Sequence, residues 1–102
     1  MQDLTSKEWQ KKTAVDTNAV ILDVRTDEEV SEGKILGAKQ INISDPAQFM
    51  EEIQKLDTAK NYYVYCRSGA RSAQACAVLN SLGIQNTFNL IGGITDWDGL
   101  VE

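Results

Sequence analysis

Short apolar runs and helical segments alternate along the chain, and this alternation restricts its fold more than any other feature. The run at residues 20–24 is continuous and rich in β-branched residues, as in a strand buried on both faces. Further strands are predicted at residues 38–43, 62–65 and 87–90. Strands that alternate with helices form a parallel sheet with helices on both faces, so the predicted fold class is α/β.

Capping residues mark where the intervening helices begin. Thr5 and Glu8 form a capping box that predicts a helix through about residue 14. Asp45 followed by Pro46 is typical of an N-cap and first helical position, and predicts a second helix start. A further helix is predicted at residues 72–82.

The composition predicts one domain over residues 1–102 and excludes several functions. A chain of 102 residues is long enough for one hydrophobic core and too short for two. A formal net charge of −5 provides no basic face for phosphates, so nucleic-acid binding is not expected. No segment reaches the roughly 18 apolar residues that span a bilayer, and no apolar targeting segment opens the chain. We therefore expect a cytoplasmic protein with no membrane partner, and a monomer, because no extended apolar patch is indicated.

The chemistry is concentrated where the apolar run at residues 62–65 ends on Cys66. The polar sequence Arg-Ser-Gly-Ala-Arg-Ser follows, and a helix is predicted directly after it. This order places a thiol in a loop whose backbone N–H groups converge on an anion, in front of a helix N-terminus. Ligands of parallel sheets bind at the carboxyl ends of the strands. The segment at residues 66–72, called the Cys66 loop below, is therefore the predicted site.

Cys66 is predicted to be a thiolate nucleophile. The chain has no histidine, which excludes Cys-His catalysis and most zinc sites, and neither a metal nor a cofactor is expected. Activation then falls to Arg67, Arg71 and the backbone N–H groups, because nearby positive charge and a helix N-terminus lower a cysteine pKa. Gly69 allows a positive φ, and Ser72 is predicted to cap the following helix. The candidate binding set comprises Arg67, Ser68, Gly69, Ala70, Arg71 and Ser72.

Two further features complete the predicted site and its surroundings. Asp23 and Arg25 close the strand at residues 20–24, and we expect Asp23 to form an ion pair with arginines that orients the Cys66 loop. Cys76 lies among small residues in the middle of a predicted helix, and we expect a core cysteine too far from Cys66 for a disulfide.

Taken in order, these segments resemble the rhodanese (sulfurtransferase) domain over nearly the whole chain, from Trp9 to Trp97. The motifs that carry the resemblance are Leu22-Asp23-Val24-Arg25, Glu29, Gly33-Lys34-Ile35-Leu36-Gly37-Ala38, Tyr65 with the Cys66 loop, Leu82-Gly83, and Leu90-Ile91-Gly92-Gly93 with Trp97.

The resemblance implies a five-stranded parallel sheet flanked by helices on both faces. It implies that Cys66 accepts a sulfane sulfur from a small anionic donor, thiosulfate or a persulfide, and holds it as a persulfide. The acceptor would be cyanide, a thiol or a protein thiol. It also implies that the N–H groups of residues 67–71 cradle the outer sulfur. Lys34 stands where the family usually has a histidine, and Val30 where an aromatic residue is common. The Lys34 change leaves open both the packing beside the site and the preference for a sulfur donor.

Cysteine phosphatases and arsenate reductases offer the main alternative, since they also use a cysteine in an arginine-closed loop. Their loops place one more residue between cysteine and arginine than the four found here, which makes room for a tetrahedral oxyanion. A rhodanese-like interaction module or persulfide relay is a further alternative.

Overall fold

Five strands form one parallel sheet in the order β1-β5-β4-β2-β3. The structure is a computed structural model that describes residues 1–102. The strands are β1 (Gln2–Leu4), β2 (Ala19–Asp23), β3 (Lys39–Gln40), β4 (Asn61–Tyr65) and β5 (Thr87–Leu90). The helices are α1 (Ser6–Val15), α2 (Asp27–Ser31), α3 (Pro46–Ile53) and α4 (Ala70–Ser81), followed by a 3₁₀ turn at Gly93–Asp96. Every pairing of neighbouring strands is parallel. The α/β class is confirmed.

The central strand β4 supplies side chains to both faces of the sheet, because successive residues of a strand point to opposite sides. Tyr62 and Val64 pack into a core with residues of α3 and α4. Tyr63 and Tyr65 pack on the other face against Trp9 of α1. The predicted burial of the sheet between helices on both faces is confirmed, and no helix is long and apolar enough to cross a bilayer.

The predicted helix starts at Thr5 and Asp45 are both confirmed. Thr5 Oγ1 accepts the N–H of Glu8 at 3.2 Å while Glu8 Oε1 accepts the N–H of Thr5 at 2.9 Å. Asp45 Oδ1 accepts the N–H of Gln48, with Pro46 in the first turn of α3. These caps satisfy N–H groups that a helix leaves unpaired at its start.

Helix α4 begins two residues earlier than predicted, and Ser72 is not its cap. Gly69 takes the N-cap position with φ +111°, a left-handed conformation that a glycine adopts without a steric cost. Ser72 lies inside the first turn and is fully buried. Its hydroxyl lies beside the side chains of Cys66 and Asn89 instead of capping the first N–H groups of the helix.

Candidate active site

The Cys66 loop leaves the carboxyl end of the central strand and lies beside the end of β2. Asp23 and Tyr65 are paired in the sheet register. The N–H of Val24 donates to the carbonyl of Tyr65 at 3.1 Å, one residue before Cys66. The structure thus brings Asp23, Arg25 and the Cys66 loop to one edge of the sheet, as predicted from the strand order.

Hydrogen-bond donors surround the sulfur of Cys66. The N–H of Gly69 donates to Sγ at 3.0 Å, and Ser72 Oγ lies 3.4 Å from Sγ. The residue is only 1% exposed. Burial alone would raise the pKa of the Cys66 thiol, but hydrogen bonds outweigh this effect, including those from the N–H groups of Ser72, Gly69 and Ser68. The pKa of Cys66 is therefore held below its ordinary value, as expected of a reactive cysteine.

The 3₁₀ turn at Gly93–Asp96 holds the carbonyl groups of the loop. Ile94 donates its N–H to the Cys66 carbonyl at 3.0 Å. Thr95 donates its N–H and its hydroxyl to the Arg67 carbonyl, at 3.2 and 2.8 Å. The C=O and N–H of a trans peptide point in opposite directions, so these bonds turn the next N–H groups toward the inside of the loop. The N–H groups of Arg67, Ala70 and Arg71 have no acceptor within the chain. Such a set of free N–H groups binds anions.

The two arginines of the loop have different environments. Arg71 forms a bidentate ion pair with Glu29 of α2, with nitrogen–oxygen distances of 2.7 and 2.9 Å. Arg67 is exposed and has no ion-pair partner. Neither guanidinium is hydrogen-bonded to Sγ, so the polar groups in contact with the sulfur are backbone N–H groups and the Ser72 side chain.

The ion pair to Arg71 depresses the pKa of Glu29 to about 2. A carboxyl group whose pKa is lowered by folding stabilises the folded state at pH values above its unfolded-state pKa. This contribution is lost as the pH falls toward the pKa of the group in the folded state. We expect Glu29→Gln to lower the free energy of unfolding at pH 7 by about 1 kcal/mol, and the difference to shrink toward pH 2. Urea unfolding across that pH range measures it.

Glu28→Gln is the matched control for this prediction, since Glu28 lies in the same helix and has no ion-pair partner. We expect it to leave the pH dependence of unfolding unchanged. Equal pH profiles for the two variants would contradict a stabilising role of the Glu29–Arg71 pair.

Asp23 forms the expected ion pair, but its partner is Arg25 and not an arginine of the Cys66 loop. The Arg25 guanidinium donates to both carboxylate oxygens, with Nη2 2.7 Å from Oδ2, and to the carbonyl of Gly33 at 2.7 Å. Tyr65 Oη donates to Asp23 Oδ2 at 2.6 Å and accepts the N–H of Ile35. Asp23 therefore forms no ion pair with Arg67 or Arg71 and does not orient the Cys66 loop through them. Asp23 instead fixes the segment at residues 33–35 beside the site.

Lys34 also serves that neighbouring segment. Its ammonium donates to the carbonyl of Ala38 at 2.7 Å and lies 3.1 Å from a carboxylate oxygen of Glu102. The backbones of Lys34 and Glu102 exchange two hydrogen bonds of 3.1 and 2.8 Å. The residue that departs from the family pattern thus joins the segment to residue 102.

Cys76 is the core cysteine that its surroundings predicted. It is fully buried on α4, and burial raises the pKa of its thiol to about 11. Both cysteines are free. The two thiols therefore differ in the direction of their pKa shifts, although both are buried.

A cleft of about 370 Å³ opens beside the Cys66 loop. Its walls are formed by Arg25, Glu29, Glu32, Gly33, Arg67, Ile94, Thr95 and Val101. Arg67 thus links the loop to the cleft, where it presents a positive charge. The cleft has room for a small anion and for part of a larger molecule.

Three residues at the site were missed as functional candidates. Glu29 was named only among the motifs that carry the family resemblance, and the signal that could have indicated its role is that Arg71 needs an acidic partner. Gly93 is packed so closely that a Cβ would overlap the carbonyl groups of Arg67 and Cys66. Asn89 contacts Ser72, and nothing in the strand pattern around it indicated this.

Comparison with known proteins places the whole chain in one group. The model of the rhodanese-like domain matches residues 6–100. A putative sulfurtransferase of Bacillus subtilis is 35% identical over 97% of this chain and 92% of its own length. A sulfurtransferase of Allochromatium vinosum is 35% identical over 95% of this chain and 88% of its own. The crystal structure of a rhodanese-like domain protein from Staphylococcus aureus superimposes with a TM-score of 0.85 and 32% identity, covering 100% and 97% of the two chains.

Proposed function

The chain belongs to the rhodanese-like domain family, and on that membership we propose that it is a sulfurtransferase that carries a sulfane sulfur on Cys66. The observation that carries the proposal is the environment of Sγ. A thiol with a depressed pKa lies in a loop whose remaining N–H groups have no acceptor in the chain. A nucleophilic sulfur and a cradle for a second sulfur therefore occupy the same loop.

The proposed reaction has two displacement steps. The Cys66 thiolate attacks the outer sulfur of thiosulfate, the S–S bond breaks, and sulfite leaves with the electron pair. The product is a Cys66 persulfide, whose anionic outer sulfur accepts hydrogen bonds from the N–H groups of the loop. An acceptor such as cyanide or a thiolate then attacks the outer sulfur and releases the Cys66 thiolate. Both steps conserve charge and need no external oxidant.

The roles proposed for the loop residues follow from their contacts. The N–H groups of Gly69, Ser68 and Ser72 stabilise the thiolate. The N–H groups of Arg67, Ala70 and Arg71 are free to bind the outer sulfur. Arg71 is held by Glu29 at the start of α4, and its charge lies near Cys66. Asp23 and Arg25 support the wall of the adjoining cleft.

The size of the loop favours sulfur transfer over phosphate hydrolysis. Four residues separate Cys66 from Arg71, one fewer than in the cysteine phosphatase loops. A shorter ring of N–H groups fits a single sulfur atom better than a tetrahedral oxyanion. We expect turnover with thiosulfate and cyanide and none with p-nitrophenyl phosphate, measured as thiocyanate and nitrophenolate release by the same preparation. Hydrolysis of the phosphate ester without thiocyanate formation would overturn the proposal.

Arg67 is proposed to attract the anionic donor from the cleft. It is exposed and lacks an ion-pair partner, so its charge is available to a ligand. We expect Arg67→Gln to raise the KM for thiosulfate about threefold to tenfold and to leave kcat nearly unchanged, because the charge acts mainly on the approach of the dianion. Lys11→Gln removes the same charge from α1, away from the cleft, and is expected to leave KM unchanged. Equal KM changes in both variants would contradict a local role of Arg67.

The proposal also covers the sulfur acceptor, the cellular compartment and the oligomeric state. We propose a protein thiol as an acceptor, because a cleft of about 370 Å³ has room for part of a molecule larger than a small anion. Two free cysteines are consistent with the reducing cytoplasm. We propose a monomer, since the site is built from one chain.

A further inference from the structure

A chain of side-chain hydrogen bonds connects Cys66 with an exposed carboxylate on β1. Ser72 Oγ lies 3.4 Å from Cys66 Sγ and 2.5 Å from Asn89 Oδ1. Asn89 Nδ2 donates to Asp3 Oδ1 at 3.0 Å, where β1 and β5 pair Asp3 with Asn89. Cys66, Ser72 and Asn89 are buried, whereas Asp3 is exposed. Two neutral side chains thus link the reactive sulfur to a surface charge.

The carboxylate determines which way the amide of Asn89 faces. An ionised carboxylate only accepts hydrogen bonds, so Asn89 turns its NH₂ group to Asp3 and its Oδ1 to Ser72. The single proton of the Ser72 hydroxyl is then directed at that oxygen. Ser72 Oγ offers the sulfur only lone pairs, which suit a thiol and not a thiolate. In the opposite amide orientation, Nδ2 would donate to Ser72 Oγ and free the hydroxyl proton for the sulfur.

We propose that Asn89, oriented by Asp3, is a positioning residue that sets the direction of the Ser72–Cys66 hydrogen bond. With the Asp3 carboxylate accepting from Asn89, the Ser72 hydroxyl donates to Asn89 and the thiolate depends on the backbone N–H groups. An amide at residue 3 can donate where a carboxylate cannot, so Asn89 becomes free to turn over, and the orientation in which Ser72 donates to the sulfur is then favoured by the thiolate. A thiolate then outcompetes the neutral carbonyl of Gly69, which lies 3.1 Å from Ser72 Oγ. This inference rests on Cys66 as the reacting group proposed above.

The other charged groups around the sulfur define the control that the test needs. On the loop side, Arg71 interacts electrostatically with both Cys66 and Asp23. Arg71 is also paired with Glu29, which neutralises its charge. Asp3 and the N-terminal ammonium act on α4 from the β1 side, where both affect the pKa of Cys76. Apart from Asp3, none of these groups is hydrogen-bonded to the side chain of Ser72 or Asn89. Removing the charge of Asp3 also acts through space, and this effect must be separated from the turning of the amide.

The test compares Asp3→Asn in two backgrounds, wild type and Ser72→Ala. The alkylation rate of Cys66 by iodoacetamide is followed against pH, with Cys66 resolved from Cys76 by peptide mass. In the wild-type background we expect the pH midpoint to fall, so that alkylation below the midpoint becomes about threefold to tenfold faster. In the Ser72→Ala background, where no hydroxyl can turn, we expect Asp3→Asn to leave only the smaller fall that the lost charge causes through space.

Two outcomes would overturn the inference. One is an unchanged midpoint for Asp3→Asn in the wild-type background. The other is an equal fall in both backgrounds, which would assign the effect to the charge of Asp3 acting through space. Alkylation needs no sulfur donor, so either outcome is independent of whether the protein transfers sulfur. Asp3 is exposed and asparagine is nearly isosteric with it, so the variant is expected to fold.

Discussion

Replacing Cys66 by serine is expected to reduce the transfer of sulfur from thiosulfate to cyanide by at least about a thousandfold. A serine hydroxyl at this position has the hydrogen-bond donors of the loop but is not ionised near neutral pH, and it cannot form a persulfide. The fold should be unaffected, because the two side chains differ by one atom and the position already accepts hydrogen bonds from Gly69. Thiocyanate formation under saturating donor and acceptor measures the loss.

Cys76→Ala is the matched control, since it removes the second thiol from the same helix-and-sheet core. Cys76 is fully buried, and its pKa is raised and not lowered. We expect this variant to keep most of the activity and to lose about 1 kcal/mol of stability from the small cavity. Activity that survives in Cys66→Ser and disappears in Cys76→Ala would show that Cys76, and not Cys66, is the nucleophile.

Gly93→Ala is expected to give the second largest effect, although Gly93 bears no functional group. Its φ of +59° is unfavourable for alanine, and a Cβ would overlap the carbonyl groups of Arg67 and Cys66. The 3₁₀ turn must then move away from the loop, which breaks the hydrogen bonds that turn the loop N–H groups inward. We expect a loss of about 3 kcal/mol in stability and, in the folded fraction, at least about a hundredfold loss of activity.

Gly83→Ala separates the two causes of that effect. Gly83 also has a left-handed backbone, with φ +92°, but nothing lies within 4 Å of a Cβ at this position. It should therefore lose about 1 kcal/mol of stability from backbone strain and keep its activity. Thermal unfolding and thiocyanate formation, measured on both variants, provide the comparison. If Gly93→Ala loses no more activity than Gly83→Ala, the packing of the 3₁₀ turn does not shape the loop.

The strands that could be predicted from the sequence are those with enough residues to show a pattern. Strands β2 and β4 have five residues each and appear as continuous apolar runs. Strand β1 has three residues, of which only Leu4 is buried, and it was not predicted. Strand β3 has two residues where six were expected. Both short strands owe their conformation to the neighbouring strand more than to their own residues.

The position of the site was predictable, and the partners of its residues were not. A strand that ends on a cysteine before a turn and a helix placed Cys66 at the correct edge of the sheet. The partner of Arg71 is Glu29, 42 residues earlier in the chain, and no local pattern connects them. Ser72 was predicted as the cap of α4, but Gly69 takes that position. The sequence permits the left-handed conformation of Gly69 and does not require it, so this helix start could not be predicted.

The central claim is that Cys66 holds a transferable sulfur atom, and the intact mass of the protein after treatment with thiosulfate tests it most directly. The account predicts a gain of one sulfur atom, its loss on addition of cyanide with formation of thiocyanate, and no gain in Cys66→Ser. An unchanged mass in the wild-type protein, or an equal gain in Cys66→Ser, would contradict it.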